Sequence, residues 1–309
     1  MSLEAAFTRC TEELSGRVRR DEPMSRHTSF RVGGPAGLFI VCETVRDIVT
    51  AFEVLGETDV PHAVVGKGTN LLVSDAGFDG AIIVLGRQFM RHAIDGECLT
   101  AGAAAMLAAL VQDASANSLE GMSFAAGIPG TLGGALAMNA GTSDGWIGDV
   151  VESVTLFEPG RGLVRVRGDE ITWGYRDSGL AKRGIIVEGV LRTRVGDART
   201  IRADMERLFR HRKHSQPLGK PNAGSVFVNP PGDHAGRLIE ECGLKGKRVG
   251  GALVSPVHAN FIVNDGGATA QDIDQLIELI RTTVRNAYGI ELKTEIRRLG
   301  RFAGDSTEA

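Results

Sequence analysis

Residues 121–143 read GMSFAAGIPGTLGGALAMNAGTS, with six glycines, a Pro129-Gly130 turn signal and no charged side chain between Glu120 and Asp144. Glycine at this density lets a backbone bend tightly and approach a ligand closely. N–H groups in such a loop, or at the start of a helix that follows it, bind phosphate without a basic side chain. A phosphate-bearing cofactor is the tenant this implies. A packed turn with no ligand is the plainer alternative, because glycine also serves close packing. A membrane span fits poorly, since Pro129, Asn139 and the glycines interrupt the apolar run.

A second glycine-rich loop lies upstream in VVGKGTNLLVSD (64–75). It matches neither GxxxxGK[ST] nor GxGxxG. Gly66 and Gly68 flank Lys67, while Thr69 and Asn70 offer neutral polar side chains that can hold a pyrophosphate. A simple strand-to-strand turn is the alternative. Two such loops in one chain favour a dinucleotide held from both sides.

The 309 residues leave room for two or three domains. Apolar content of 42% and charged content of 24% are those of an ordinary soluble globular protein. A net charge of −3 argues against nonspecific nucleic-acid binding. The opening MSLEAAFTRCTEEL has no apolar h-region, and no later segment reads as a membrane span. Cys10, Cys42, Cys98 and Cys242 are scattered, without CxxC, and read as reduced thiols of a cytoplasmic protein; no metal site is expected.

Periodicity predicts a helix over 2–15 and a buried strand over 37–42. Thr44 and Asp47 form a capping-box start to a helix with Val45, Ile48, Val49, Phe52 and Leu55 on its apolar face. HAVVG is a short strand feeding the 66–70 loop, and 81–85 is a further strand. An Ala-rich helix is expected over 104–115, and strands over 150–157, 163–166 and 185–193. The basic helix 201–214 reads as a bridge between domains whose charge run is a solvated face. Beyond a linker at 217–222 come strands at 225–228, 249–254 and 260–264 and a helix at 234–242. A long helix capped by Thr269 and Asp272 buries Ile273, Leu276, Ile277, Ile280 and Val284 and ends at Gly289. ELKTEIRRLG closes as a strand, and the polar tail after Phe302 reads as disordered.

Three short stretches carry candidate chemistry. In GYRDSGL (174–180), Arg176 either pairs with Asp177 on the surface or aims its fork at a carboxylate or developing enolate. In NAGSVFVNP (222–230), Ser225 is either a turn residue or a proton donor, since no GxSxG surrounds it. In KTEIRRL (293–299), a strand would put Glu295 and Arg297 on one face and Ile296 on the other. Exposed cross-strand charge is one reading of that pair; a buried carboxyl sharing acid duties is the other.

Taken with HTSFRVGGPA (27–36), GMSFAAGIPGTLGGALAMNAG (121–141) and the long block 222–264, these stretches resemble the UDP-N-acetylenolpyruvoylglucosamine reductase family, in the family's order and over nearly the whole chain. The resemblance implies an α+β chain. It would have the FAD-binding fold of the vanillyl-alcohol-oxidase and p-cresol-methylhydroxylase type, with two α+β subdomains, plus a C-terminal α+β substrate-binding domain. Residues 1–80 and 81–200 would be the FAD subdomains, with 297–309 returning to the first. Residues 201–221 would bridge, and 222–296 would bind substrate. Noncovalent FAD would lie against Gly66, Lys67, Gly68, Thr69, Asn70 and Leu71, and against Ala126, Gly127, Ile128, Pro129, Gly130, Gly133, Gly134, Ala137, Asn139, Ala140 and Gly141.

By the same resemblance, NADPH would reduce the flavin. Hydride would then pass from flavin N5 to the methylene carbon of UDP-N-acetylglucosamine enolpyruvate, in peptidoglycan precursor synthesis. The implied catalytic residues are Arg176 and Glu295, stabilising the enolate and its carboxylate, and Ser225, delivering the proton. Tyr175, Asn229 and Arg297 would contact substrate. The implied enzyme is a cytoplasmic monomer whose partner is this small molecule, not nucleic acid or membrane. Val228 stands where the family often has lysine, so Lys213, Lys220 or Arg248 would have to meet the substrate phosphates. The short span from Arg176 to Ser225 suits a subtype without the inserted tyrosine loop.

Overall fold

A computed structural model describes residues 2–303 and divides the chain into two compact units. Of the tail after Phe302, residues 304–309 lie outside the described residues. The first unit comprises Met1–Arg20, Leu38–Lys67 and Gly80–Arg212; the second comprises Asp21–Gly37, Gly68–Asp79 and Lys213–Ala309.

The largest sheet is antiparallel throughout and belongs to the first unit. Its strands run in the order Gly162–Arg167, Val151–Glu158, Ile185–Arg192, Cys98–Gly102 and His92–Asp95. The short helix Leu132–Ala137 packs on it at Gly189, where an added Cβ would stand 3.0 Å from Leu136. A four-stranded sheet orders Val18–Pro23, Pro35–Cys42, Phe78–Leu85 and His62–Val64, the last two parallel. Helices Leu3–Glu13 and Val45–Glu57 bury Ala6, Cys10, Ile48, Ala51 and Leu55 in one cluster with Leu38, Ile40 and Ile83. Burial pushes the Cys10 thiol up to about 11 and Cys42 to about 12, so neither is a thiolate at neutral pH.

The second unit centres on helix Ala270–Tyr288. Ile273, Leu276, Ile277, Ile280 and Val284 are all buried, as their helical spacing predicts. Removing them from water is worth on the order of 10 kcal/mol. Thr269 and Asp272 form the expected capping box, and Asp75 accepts from Ala270 N (2.8 Å) and Gln271 N (2.9 Å) at the same helix start. The helix covers a three-stranded antiparallel sheet, Arg248–Val249, Ala252–Val254 and Ile262–Asn264. Arg297–Leu299 pairs in parallel with Leu71–Val73.

Two expected strands shrink. Segment 225–228 forms one isolated bridge, Phe227 to Thr294, and the closing strand contracts to Arg297–Leu299. The expected 249–254 strand is broken by a turn at Gly250 and Gly251; a Cβ on Gly251 would meet Ala268 N at 2.3 Å.

Asp47 shows how the sequence fixes local structure. Its carboxylate accepts from Ser15 N (3.0 Å), Ser15 Oγ (2.7 Å), Glu43 N (2.8 Å) and Thr44 N (3.0 Å). Burial alone would raise its pKa, but these bonds outweigh burial and hold it below the usual carboxylate range. A depressed pKa gives stability that is present above the ordinary carboxylate value and lost as pH falls through the folded one. Asp47→Asn is therefore expected to cost about 1–2 kcal/mol at pH 7 and clearly less at pH 3, read from urea-unfolding midpoints at both pH values.

Candidate active site

The glycine-rich run divides into two functional halves, both within the first unit. Gly66 lies against it, since a Cβ there would stand 2.7 Å from Thr131 Oγ1. The two glycine-rich loops therefore meet at this point. Several N–H groups of the run are spent on the scaffold: Leu132 N donates to Ala105 O (2.9 Å), Gly133 N to Ala103 O (2.8 Å) and Gly134 N to Thr131 Oγ1 (3.4 Å). Ile128 N and Ala140 N are likewise bonded, to Ala125 O and Ala135 O. Among the described residues, Gly127 N and Gly130 N donate to no protein atom, and Gly130 is buried. A buried N–H without a partner is costly, which makes 126–130 the candidate half for contact with a ligand.

The other half, 137–141, holds Arg176. Gly174–Asp177 is a tight turn in which Arg176 adopts a left-handed φ of 59°. Every adjacent segment of the run bonds it. Ser178 N and Oγ both donate to Ala137 O (3.2 and 3.1 Å). Asn139 Nδ2 donates to Gly174 O (3.0 Å), and Asn139 Oδ1 accepts from Gly148 N (3.2 Å). The Arg176 guanidinium donates to Gly141 O (3.1 Å). Asp177 pairs with Lys182 (3.1 Å) and accepts from Gly179 N (2.8 Å). The amide of Asn139, expected to contact cofactor, is thus engaged by the scaffold at both ends. Arg176 occupies a turn, where a residue can be aimed independently of a ladder.

Arg212 is a candidate site residue that its sequence context does not single out. It lies on helix Ala198–Ser215, beside Phe209, with both side chains over the bare face of Gly127. Its Nε is buried without a partner, and its Nη1 makes only a long 3.5 Å bond to Ala126 O. Burial, and then the nearby Arg176 charge, depress its pKa. Two neighbouring guanidinium groups, one of them desolvated without a carboxylate, form a place for an anion. The signal was present in the sequence: Ile201, Met205, Leu208 and Arg212 share one helical stripe, so Arg212 continues the inward face and not the solvated one.

The second unit pairs the segment that follows Ser225 with the segment that carries Glu295. Val226 N donates to Asn260 O (2.8 Å), Phe227 N to Asn260 Oδ1 (2.9 Å) and Asn260 Nδ2 to Phe227 O (2.8 Å). Glu295 N then donates to Val226 O (2.8 Å). Asn70 Nδ2 donates to Glu295 O and Arg297 N to Asn70 O, both at 3.0 Å. Asn70 thus holds protein backbone, between Gly68, packed on His27 O, and the buried Leu71. His258, kept neutral as burial lowers its pKa, accepts from Asn260 N through Nδ1 (3.1 Å). Asn229 Oδ1 accepts from Ala235 N (3.0 Å) at a helix start, and Arg297 is exposed. Lys220 and Arg248 both pair with Asp265, leaving that cluster one positive charge in excess.

Such a chain, with a glycine-rich run whose Gly127 and Gly130 N–H groups have no protein acceptor, falls in the class of FAD-binding oxidoreductases, and residues 36–167 match the FAD binding domain family. Residues 216–299 match the UDP-N-acetylenolpyruvoylglucosamine reductase C-terminal domain. The UDP-N-acetylenolpyruvoylglucosamine reductase of Heliobacterium modesticaldum is 44% identical over 300 residues, covering 96% of each chain. That of Anaeromyxobacter dehalogenans is 44% identical over 299 residues, 95% of this chain and 90% of the relative. The crystal structure of the Thermus caldophilus reductase superposes with a TM-score of 0.82 at 36% identity, covering 92% of this chain and all of that one. A glucose-oxidase variant of Phl p 4, at 17% identity and a TM-score of 0.51 over 63% of this chain, shows the fold alone. The chain belongs to the UDP-N-acetylenolpyruvoylglucosamine reductase family.

The residues present fit FAD, because Gly130 N and Arg212 Nε are buried polar groups that lack a protein partner. Arg212→Met is expected to weaken FAD binding tenfold or more in titrations of apoprotein. The melting temperature of the apoprotein should stay level or rise, since a desolvated charge beside Arg176 is removed. Unchanged FAD affinity would remove Arg212 from the cofactor's surroundings.

Proposed function

We propose that the chain reduces UDP-N-acetylglucosamine enolpyruvate to UDP-N-acetylmuramate in bacterial peptidoglycan precursor synthesis, with NADPH as reductant, as a cytoplasmic monomer that acts on no nucleic acid. The observation that carries this reading is the Arg176 turn, built into the cofactor run of a chain 44% identical to named reductases. In this reading residues 1–80 and 81–200 are the FAD subdomains, with the strand that begins at Arg297 returning to the first; residues 201–221 bridge, and 222–296 bind substrate.

Bound FAD supplies hydride storage between NADPH and the enolpyruvyl methylene carbon. Gly127, Gly130 and Arg212 are the residues assigned to hold it. Hydride addition builds negative charge on the carbon next to the substrate carboxylate, so preorganised donors are needed there. Arg176 meets that need with a planar fork suited to carboxylate and enolate. Glu295 shares the stabilisation. Ser225 is a weak acid, yet its hydroxyl can protonate a centre as basic as this one. Asn260 anchors the two residues that follow Ser225, which fixes where the hydroxyl starts from. With Val228 in place of lysine, the Lys220–Arg248 pair on Asp265 is assigned to the substrate phosphates.

Anaerobic stopped-flow separates the two half-reactions. NADPH should bleach the yellow protein, and the enolpyruvyl sugar nucleotide should restore its colour. Ser225→Ala should leave bleaching near normal and slow recolouring by about three orders of magnitude. Equal loss in both half-reactions would count against Ser225 as the proton donor; absence of bleaching by NADPH would sink the reading itself.

A further inference from the structure

Arg176 is held in a conformation that ordinary L residues avoid. A non-glycine residue at φ 59° persists only when its surroundings over-determine it, and such positions gather at functional sites. The guanidinium also feels the positive charge of Arg212, a repulsion that favours swinging away. Something must hold it against both tendencies.

The Arg176 guanidinium carbon lies 5.4 Å from the centroid of the Trp146 ring and 5.2 Å from that of Tyr175. The two rings meet edge to face, 5.7 Å apart at 69°. They differ in how well they are fixed. Tyr175 is 49% exposed and sits on the same turn as Arg176, so it moves with its neighbour. Trp146 is anchored from elsewhere. It pairs with Gly141 across a two-residue hairpin, and its backbone N–H donates to Asp149 Oδ2 (2.9 Å). Its ring fills the space a side chain at Gly141 would need, since a Cβ there would stand 2.7 Å from the indole. The carbonyl of that same Gly141 accepts from Arg176. One residue pair, Gly141 and Trp146, therefore gives the guanidinium both an in-plane acceptor and an aromatic face.

We propose that Trp146 is a positioning residue for Arg176: its indole restrains the plane of the guanidinium, so the fork meets the substrate carboxylate in one orientation. This rests on Arg176 acting in the substrate half-reaction. A cation over an aromatic face is attracted by the ring quadrupole, most strongly by tryptophan. The alternative is that Trp146 only packs the hairpin, in which case its loss acts through stability and touches both half-reactions alike.

The test uses holoenzyme loaded with FAD. Trp146→Leu should slow reoxidation of NADPH-reduced enzyme by the enolpyruvyl substrate about tenfold, with FAD content and the rate of NADPH reduction unchanged. Trp146→Phe, which keeps a weaker ring over Gly141, should fall between Trp146→Leu and wild type. In an Arg176→Lys background, Trp146→Leu should have little further effect, because the planar fork it orients is gone. Equal losses in both half-reactions, or the same penalty in the Arg176→Lys background, would overturn the proposal. If Trp146→Leu fails to retain FAD, Trp146→Phe carries the test: a reoxidation rate equal to wild type overturns the proposal, and a selective loss supports it. Should Arg176→Lys alone leave reoxidation unchanged, the reading of Arg176 fails. If Arg176→Lys is slow while the Trp146 variants are normal, only the present inference fails.

Discussion

The first unit is organised around one constraint, which is to keep a guanidinium in a left-handed turn beside a second guanidinium. Neither condition is favourable alone. A non-glycine residue at positive φ costs on the order of 1 kcal/mol or more, and like charges near a low-dielectric interior repel. Segment 137–141 answers both. Its carbonyls at Ala137 and Gly141, and the Asn139 side chain, bond residues 178, 176 and 174 in turn. Those acceptors are carbonyl dipoles and not carboxylates. The carbonyl of Gly141 orients the Arg176 guanidinium directly, and that of Ala137 holds the turn through Ser178.

That choice explains the absence of charge from residues 121–143 better than a cofactor argument alone. An acidic side chain in this run would pair with Arg176 or Arg212 and cancel the positive potential. The Gly141 carbonyl holds one arginine, and the other is buried with its Nε unpartnered. The run has two jobs that both exclude charge: unspent N–H groups at Gly127 and Gly130, and neutral acceptors at Ala137 and Gly141.

The sequence exposed the elements whose signals are local. The capping boxes at Thr44 and Thr269, the stripe from Ile273 to Val284 and the strands near 151–158 and 185–192 all appear where periodicity puts them. What stayed hidden depends on contacts distant in sequence. Asn139 looks like a loop residue until Gly174 and Gly148 are brought to its amide. Gly141 looks like room for a ligand until Trp146 is seen to fill that room. Arg212 was masked by its neighbours, since in RHRKH one basic residue faces inward and composition does not say which. The expected strands at 225–228 and 291–300 shrank for a related reason. Alternating apolar residues predict a ladder, but here side-chain amides take the place of strand partners.

Those amides have a mechanical consequence in the second unit. Asn260 bonds both the N–H and the C=O of Phe227 through its side chain, while its own backbone carbonyl accepts from Val226. Asn70 likewise links the carbonyl of Glu295 to the N–H of Arg297. A regular ladder would fix alternate side chains at the pitch of a strand. One amide per segment fixes two backbone groups and leaves the preceding residue to a turn, here Gly224 at φ 77° with its N–H on Asn222. Ser225 can thus be set at an angle that no strand allows, while the backbone beside it is as well bonded as in a sheet. This arrangement concentrates its risk. A ladder survives the loss of one side chain, but three of the bonds beside Ser225 run through one buried asparagine. That asparagine's own N–H is in turn satisfied by a histidine that must stay neutral.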